Sequence, residues 1–199
     1  MDDIGFNMIA GLLLGYLLGA VPFGLLLTKA AGGGDIRNIG SGNIGATNVL
    51  RTGRKGLAAL TLLLDLLKGF FAVFIATHYL PGGAVFAAGG AFFGHLYPVW
   101  LGFKGGKGVA TYAGIMFGLF WQGGVVYAIA WIGALLIFRI SSLAGLLAAL
   151  CAPIAAAYFG RYDLVALLVA CTLIVFWKHR TNIENLMDGT EPRIGKSKS

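Results

Sequence analysis

The sequence predicts an all-α fold: a polytopic membrane helix bundle of seven transmembrane helices, N-terminus outside and C-terminus cytoplasmic, forming one domain over 1–199. Three observations carry that prediction. The 199 residues are 58% apolar and only 12% charged, against roughly 45–50% and about 25% in soluble domains, and mean hydropathy is +0.82. The apolar residues gather into runs of about the length that crosses a bilayer. The basic residues alternate between those runs as membrane sidedness requires.

A helix crosses a bilayer in about 20 apolar residues, with a range near 17–25. The first run, 4–27, is long enough. It opens on Asp2 and Asp3 instead of a basic segment, so it is not a cleaved signal peptide, and Pro22 bends its cytoplasmic end. The second run is 56–79 and the third 84–101. The fourth, 109–122, is short; Gly123 and Gly124 part it from the fifth, 125–138. The sixth is 143–159 and the seventh 164–177.

Charge placement tests this count. Lys29, Arg37, Arg51, Arg54 and Lys55 follow run one, Lys104 and Lys107 follow run three, and Arg139 follows run five. Lys178, Arg180, Arg193, Lys196 and Lys198 follow run seven. With seven spans, thirteen of the fifteen basic residues fall on one side, the cytoplasmic one. A five-span arrangement breaks the alternation. The net charge of +7 therefore belongs to orientation and to an anionic substrate. No basic helix or aromatic–basic repeat points to nucleic acid. Cys151 and Cys171 sit inside apolar runs, read as buried small hydrophobes, and exclude a disulfide scaffold or a zinc site.

Within the membrane, Asp65 and Lys68 lie i,i+3 on run two and share a face. Charges at that depth cost a few kcal/mol each unless paired. The pair is either an ion pair stapling the bundle or a support that organises the site.

The cytoplasmic loops carry the chemistry. In the first, Gly40, Gly42 and Gly45 satisfy a formal GxGxxG, but no strand precedes it, which rules against a dinucleotide fold. Glycines still let backbone N–H groups converge on an anion ahead of a helix N-terminus. Ser41, Asn43, Thr47 and Asn48 add neutral donors, and Arg51 a bidentate one. The second loop sets Lys104 and Lys107 among Gly105, Gly106 and Gly108, a flexible cationic nest without the Ser or Thr of a Walker A loop. His95, just before it, is either a satisfied hydrogen-bonding residue or a site member. Ser141 and Ser142 open run six, where a helix N-cap is expected. After run seven, His179 can serve as general base or phosphate donor near neutral pH.

Together these pieces closely resemble the bacterial acyl-phosphate:glycerol-3-phosphate acyltransferases, the PlsY family. The resemblance rests on 16–24, 38–51, 64–69, 94–98, 103–111, 142–144 and 179–182, in that order along nearly the whole chain. It implies seven spans with the N-terminus outside, in a bacterial inner membrane, and an active site on the cytoplasmic side. It implies no metal, nucleotide or other cofactor, no acyl-CoA or acyl-carrier-protein requirement and no obligate protein partner. Its reaction is transfer of an acyl group from acyl-phosphate to the 1-hydroxyl of glycerol 3-phosphate, giving lysophosphatidate. The functional positions it carries over are Ser41, Arg51, Lys107, Ser142, His179 and Asn182, with Gly42, Asn43 and Lys104 as further phosphate-binding positions. The stretch Glu184-Asn-Leu departs from the more basic one common in the family.

The chemistry suits these residue types. An acyl-phosphate is a mixed anhydride whose phosphate leaves readily. The site must hold two phosphates, position a hydroxyl and stabilise a tetrahedral oxyanion, and Arg, Lys, backbone N–H groups and hydroxyls do all three. Either His179 or the substrate phosphate takes the hydroxyl proton. No serine or cysteine sits beside a base at a spacing that marks a covalent acyl-enzyme. The competing reading is a transporter of small organic phosphates or lipids, which predicts inverted repeats with helices broken at the midplane. No such repeat is visible, and the polar groups cluster at one face.

Overall fold

Ten α-helices account for most of residues 3–195, the part of the chain that the computed structural model describes; Asp2, Lys196 and Lys198 lie outside it. They are α1 Asp3–Gly19, α2 Phe23–Ala30, α3 Ala46–Arg51, α4 Lys55–Tyr79, α5 Ala84–Leu96, α6 Val109–Leu119, α7 Trp121–Phe138, α8 Ser141–Tyr158, α9 Tyr162–Lys178 and α10 Arg180–Met187. The chain divides between Leu119 and Phe120 into two compact units, α1–α6 and α7–α10. No strand occurs among the described residues.

Five helical segments are long and apolar enough to cross a membrane: 3–30, Lys55–Tyr79, Ala84–Leu101, Trp121–Phe138 and Ser141–Tyr158. A sixth combines α9 with α10, bent by 61° between them. The expected fourth span is an 11-residue helix, α6, only about 16 Å long at 1.5 Å per residue. Its partner begins earlier than the glycines suggest. The break falls at Phe120, in extended conformation, and Gly123 and Gly124 lie inside α7. A Cβ on Gly123 would collide with the Phe120 ring, so glycine there admits the aromatic that closes the turn.

In the first unit, the buried residues of α1 are Gly11, Gly15 and Gly19. A Cβ on each would strike the backbone of Gly83, Ala87 and Ala91, and one on Gly90 or Gly94 of α5 would strike Leu12 or Tyr16. Lipid supplies no hydrophobic drive between helices, so this backbone-to-backbone approach is what joins them. Gly69 of α4 and Gly114 of α6 do the same against Thr111 and Leu66.

The first span is broken at 20–22. Pro22 has no N–H for the Leu18 carbonyl, which the Val21 N–H serves instead at 3.3 Å. The carbonyls at the break take side-chain donors, Val21 O in addition to the Phe23 N–H at 3.2 Å. Trp100 Nε1 donates to Ala20 at 2.8 Å, and Lys68 Nζ donates to Val21 at 2.8 Å. The third span reaches Leu101 as expected, but its α-helix stops at Leu96, because Tyr97 precedes Pro98 and is pushed out of the helical region, and a 3-10 turn over Val99–Leu101 completes it.

In the second unit, Pro153 sits inside α8. Its missing N–H leaves the Ala149 carbonyl without its helical donor, and Thr172 Oγ1 of α9 donates to that oxygen at 2.8 Å. Thr172→Val, nearly isosteric, orphans this carbonyl. The expected loss is about 1–3 kcal/mol, read as a lower midpoint of thermal unfolding in detergent.

Candidate active site

The first unit holds two polar loops. The loop between α2 and α4 is built around one amide. Asn48, 1% exposed, donates from Nδ2 to the carbonyls of Ile36, Ile39 and Asn43 at 3.0, 2.9 and 2.8 Å. Its Oδ1 accepts the Ser41 N–H at 3.0 Å. Asn48 is therefore the loop's organiser, not a donor to ligand as the sequence suggested: its donors are already engaged in a buried setting. Asn43 Oδ1 accepts the Gly45 N–H at 2.8 Å, an Asx turn that opens α3. Gly40 has φ +58, and a Cβ there would collide with Asn48 Oδ1 and crowd Arg51 Cδ. Leu25, Ile36, Ile44, Val49 and Ala58 form the apolar floor beneath. Ser41, Gly42 and Arg51 are exposed above it and Asn43 is half-buried.

Two cations of this loop have structural work. Arg37 binds Asp35 through Nε at 2.9 Å and Nη2 at 2.6 Å, and these hydrogen bonds hold the Asp35 carboxyl well below the usual carboxylate range. Arg54 Nη1 donates to the Ala31 carbonyl at 2.6 Å and closes the loop's base.

The second loop, 97–108, is not the flexible nest the sequence suggested. The Gly105 N–H donates to Leu96 O at 3.1 Å and the Gly106 N–H to His95 O at 3.0 Å. A Cβ on Gly105 would strike the His95 carbonyl, one on Gly106 the His95 imidazole, and one on Gly108 the Phe92 ring. The glycines let this strap lie flat on the end of α5. Tyr16 OH donates to Tyr97 O at 2.9 Å and accepts the Val99 N–H at 3.1 Å. Lys104 is exposed on the strap and Lys107 half-buried. Beneath it, Lys68 Nζ pairs with Asp65 Oδ1 at 2.7 Å, both nearly fully buried, and His95 Nδ1 lies 3.7 Å from the same oxygen. Asp65 and Lys68 are thus an internal pair holding the broken span.

The second unit holds the remaining residues. Ser141 and Ser142 do not cap α8. Its N-cap is Ile140, in extended conformation, and Ser142, inside the first turn, donates its hydroxyl to Glu191 Oε1 at 2.6 Å. Asn182 Nδ2 donates to the same oxygen at 2.6 Å, and Asn185 Nδ2 to Oε2 at 3.2 Å. His179, 3% exposed, lies at the junction of α9 and α10, its Nδ1 2.8 Å from the Val175 carbonyl. A carbonyl only accepts, so Nδ1 carries a proton, and in the neutral form of the ring the lone pair is on Nε2. Glu191 escaped the sequence reading. The available signal was one carboxylate, in Thr190-Glu-Pro192, within a basic tail.

The profile of the glycerol-3-phosphate acyltransferase family matches residues 9–189. The chain belongs to the glycerol-3-phosphate acyltransferase family. Among proteins named glycerol-3-phosphate acyltransferase, that of Mesorhizobium japonicum is 60% identical over 190 residues, covering 96% of this chain and 97% of its own. That of Rhodopseudomonas palustris is 58% identical over 193 residues, covering 96% and 97%. Crystal structures of PlsY (YgiH), an integral membrane glycerol 3-phosphate acyltransferase, also resemble it. The glycerol 3-phosphate form has a TM-score of 0.89 at 36% identity, covering 94% of this chain and 96% of that one. The lysophosphatidic acid form has a TM-score of 0.86 at 34% identity, covering 94% and 95%. The family is one of integral membrane enzymes, and the apolar helices of this chain make it a multi-pass membrane protein.

Asn48→Ala removes four hydrogen bonds from the first loop while leaving the spans intact. Amide hydrogen exchange across 39–43 is expected to rise at least about tenfold, since each bond contributes about 0.5–1.5 kcal/mol, with exchange in α4 unchanged.

Proposed function

We propose that the chain transfers the acyl group of an acyl-phosphate to the 1-hydroxyl of sn-glycerol 3-phosphate, releasing lysophosphatidate and inorganic phosphate. The observation that carries this reading is the match, over 94% of the chain, to a structure described as the glycerol 3-phosphate form of its family. The proposed setting is a bacterial plasma membrane with seven spans, α6 and α9 counted among them, the N-terminus outside and the reaction at the cytoplasmic face. The thirteen basic residues of one sidedness support that orientation.

Ser41, Gly42, Asn43 and Arg51, on the Asn48-organised loop, together with Lys107, bind the acyl-phosphate headgroup and the charge that develops on it. Lys104, His179 and Asn182 take glycerol 3-phosphate. Ser142 contributes oxygen lone pairs, because its one proton is already donated to Glu191. The glycerol oxygen attacks the acyl carbon, a tetrahedral oxyanion forms, and the carbon–oxygen bond to phosphate breaks. The hydroxyl proton passes to His179 Nε2 or to a substrate phosphate. The cations and hydroxyls stabilise the oxyanion without a covalent acyl-enzyme.

Purified protein in detergent, given acyl-phosphate and radiolabelled glycerol 3-phosphate, is expected to form lysophosphatidate. A pure transporter forms none, since detergent supports no gradient. Lys107→Ala removes a charge-assisted contact of roughly 1.5–3 kcal/mol, so kcat/KM should fall about ten- to a hundredfold. Unchanged kinetics in a folded variant would remove Lys107 from the site.

A further inference from the structure

Glu191 is a buried carboxylate, 9% exposed, in the segment after α10 and beyond the 9–189 stretch of the family match. It gathers donors from three places: Ser142 in the first turn of α8, Asn182 in the first turn of α10 and Asn185 in its last. The segment carrying it is tied down at both ends. The Thr190 and Glu191 N–H groups donate to Asn185 O at 2.8 and 3.1 Å, and the Ile194 N–H donates to Arg139 O at 2.7 Å. Gly189, at φ +69, allows the reversal that brings the segment back.

A carboxylate offers acceptors only. Each group that faces it must therefore turn a hydrogen inward, and that decides what the group presents elsewhere. Ser142 has one hydrogen and gives it to Oε1, so its lone pairs are what it can offer a substrate hydroxyl. Asn182 gives an amide hydrogen to the same oxygen, which sets the plane of its side chain. Both bonds are 2.6 Å, short as expected when the acceptor carries charge. An anion in this position also opposes any phosphate nearby, so its presence calls for a compensating role.

We propose that Glu191 is a positioning residue of the acyl transfer, orienting the Ser142 hydroxyl and the Asn182 amide for glycerol 3-phosphate; this rests on the reading of those two residues as substrate contacts. The carboxylate acts through Ser142 and Asn182 and touches no substrate itself. The shape of the network predicts which replacement works. Glutamine keeps one oxygen for Ser142 and Asn182, and its amide nitrogen can face Asn185 once that amide flips. Alanine keeps nothing.

The test compares Glu191→Ala, Glu191→Gln, Asn185→Ala and Asn182→Ala in purified full-length protein, measuring KM for each substrate, kcat and thermal unfolding. Glu191→Ala is expected to raise KM for glycerol 3-phosphate about tenfold or more, with KM for acyl-phosphate within about twofold, and Glu191→Gln to recover most of that loss. Asn185→Ala, which removes one side-chain tie between α10 and the Glu191 carboxylate without touching Ser142 or Asn182, is expected to lower the unfolding midpoint while leaving KM for glycerol 3-phosphate near normal. A Glu191→Ala defect no larger than that of Asn185→Ala at equal destabilisation would overturn the proposal in favour of a simple staple. A lower KM for glycerol 3-phosphate in Glu191→Ala would overturn it too, because the carboxylate would then be a competitor for the phosphate's donors. If Asn182→Ala is itself silent, the substrate-contact reading fails. If Asn182→Ala is impaired and Glu191→Ala is silent, only the positioning role fails.

Discussion

Carbonyls at a helix break inside a membrane must keep donors, and at the joint of the first span Lys68 supplies a charged one beside the Phe23 N–H. Its ammonium donates to Val21 O at 2.8 Å and pairs with Asp65 at 2.7 Å. It also lies 5.7 Å from the centre of the Phe23 ring, at the start of α2. Neither charge is tolerable alone at that burial; together they turn a Pro-induced break into a defined corner. Both polar loops of the first unit refer to that corner. The loop of Ser41 and Arg51 leaves from α2, which begins there. The strap of Lys104 and Lys107 is anchored to it by Trp100 on Ala20 and rests on His95, close to Asp65.

The same rule shapes the second unit. Pro153 frees the Ala149 carbonyl, and Thr172 supplies its donor. Arg139 ends α7 with φ 60, a conformation uncommon for a side chain of its kind, and its carbonyl receives the Ile194 N–H. Polar side chains in this chain are few, and most of those described have backbone to satisfy before they can meet a ligand. That separates Asn48, Arg54 and Lys68, which bond backbone carbonyls, from Ser41, Arg51 and Lys104, which are exposed.

Glycine follows a parallel division. In α1 and α5 it permits helices to touch backbone to backbone. At Gly105 and Gly106 it lets a loop lie against His95, where the sequence alone read an open nest for phosphate. The residue type was the same in both settings, and only the neighbour that a Cβ would have met distinguishes them.

The sequence by itself determined the membrane class, the apolar helices, the bend at Pro22 and the family to which the chain belongs. These follow from composition, run length and charge placement, all local properties, and from motifs that hold their order along the chain. It missed what depends on partners far apart in number. The break at Phe120 needed the ring that Gly123 admits, the role of Ser142 needed a carboxylate 49 positions away, and Asn48 needed the carbonyls folded around it. Tertiary structure decided which polar groups are already bonded, because a hydrogen bond is a property of two positions and the sequence lists them one at a time.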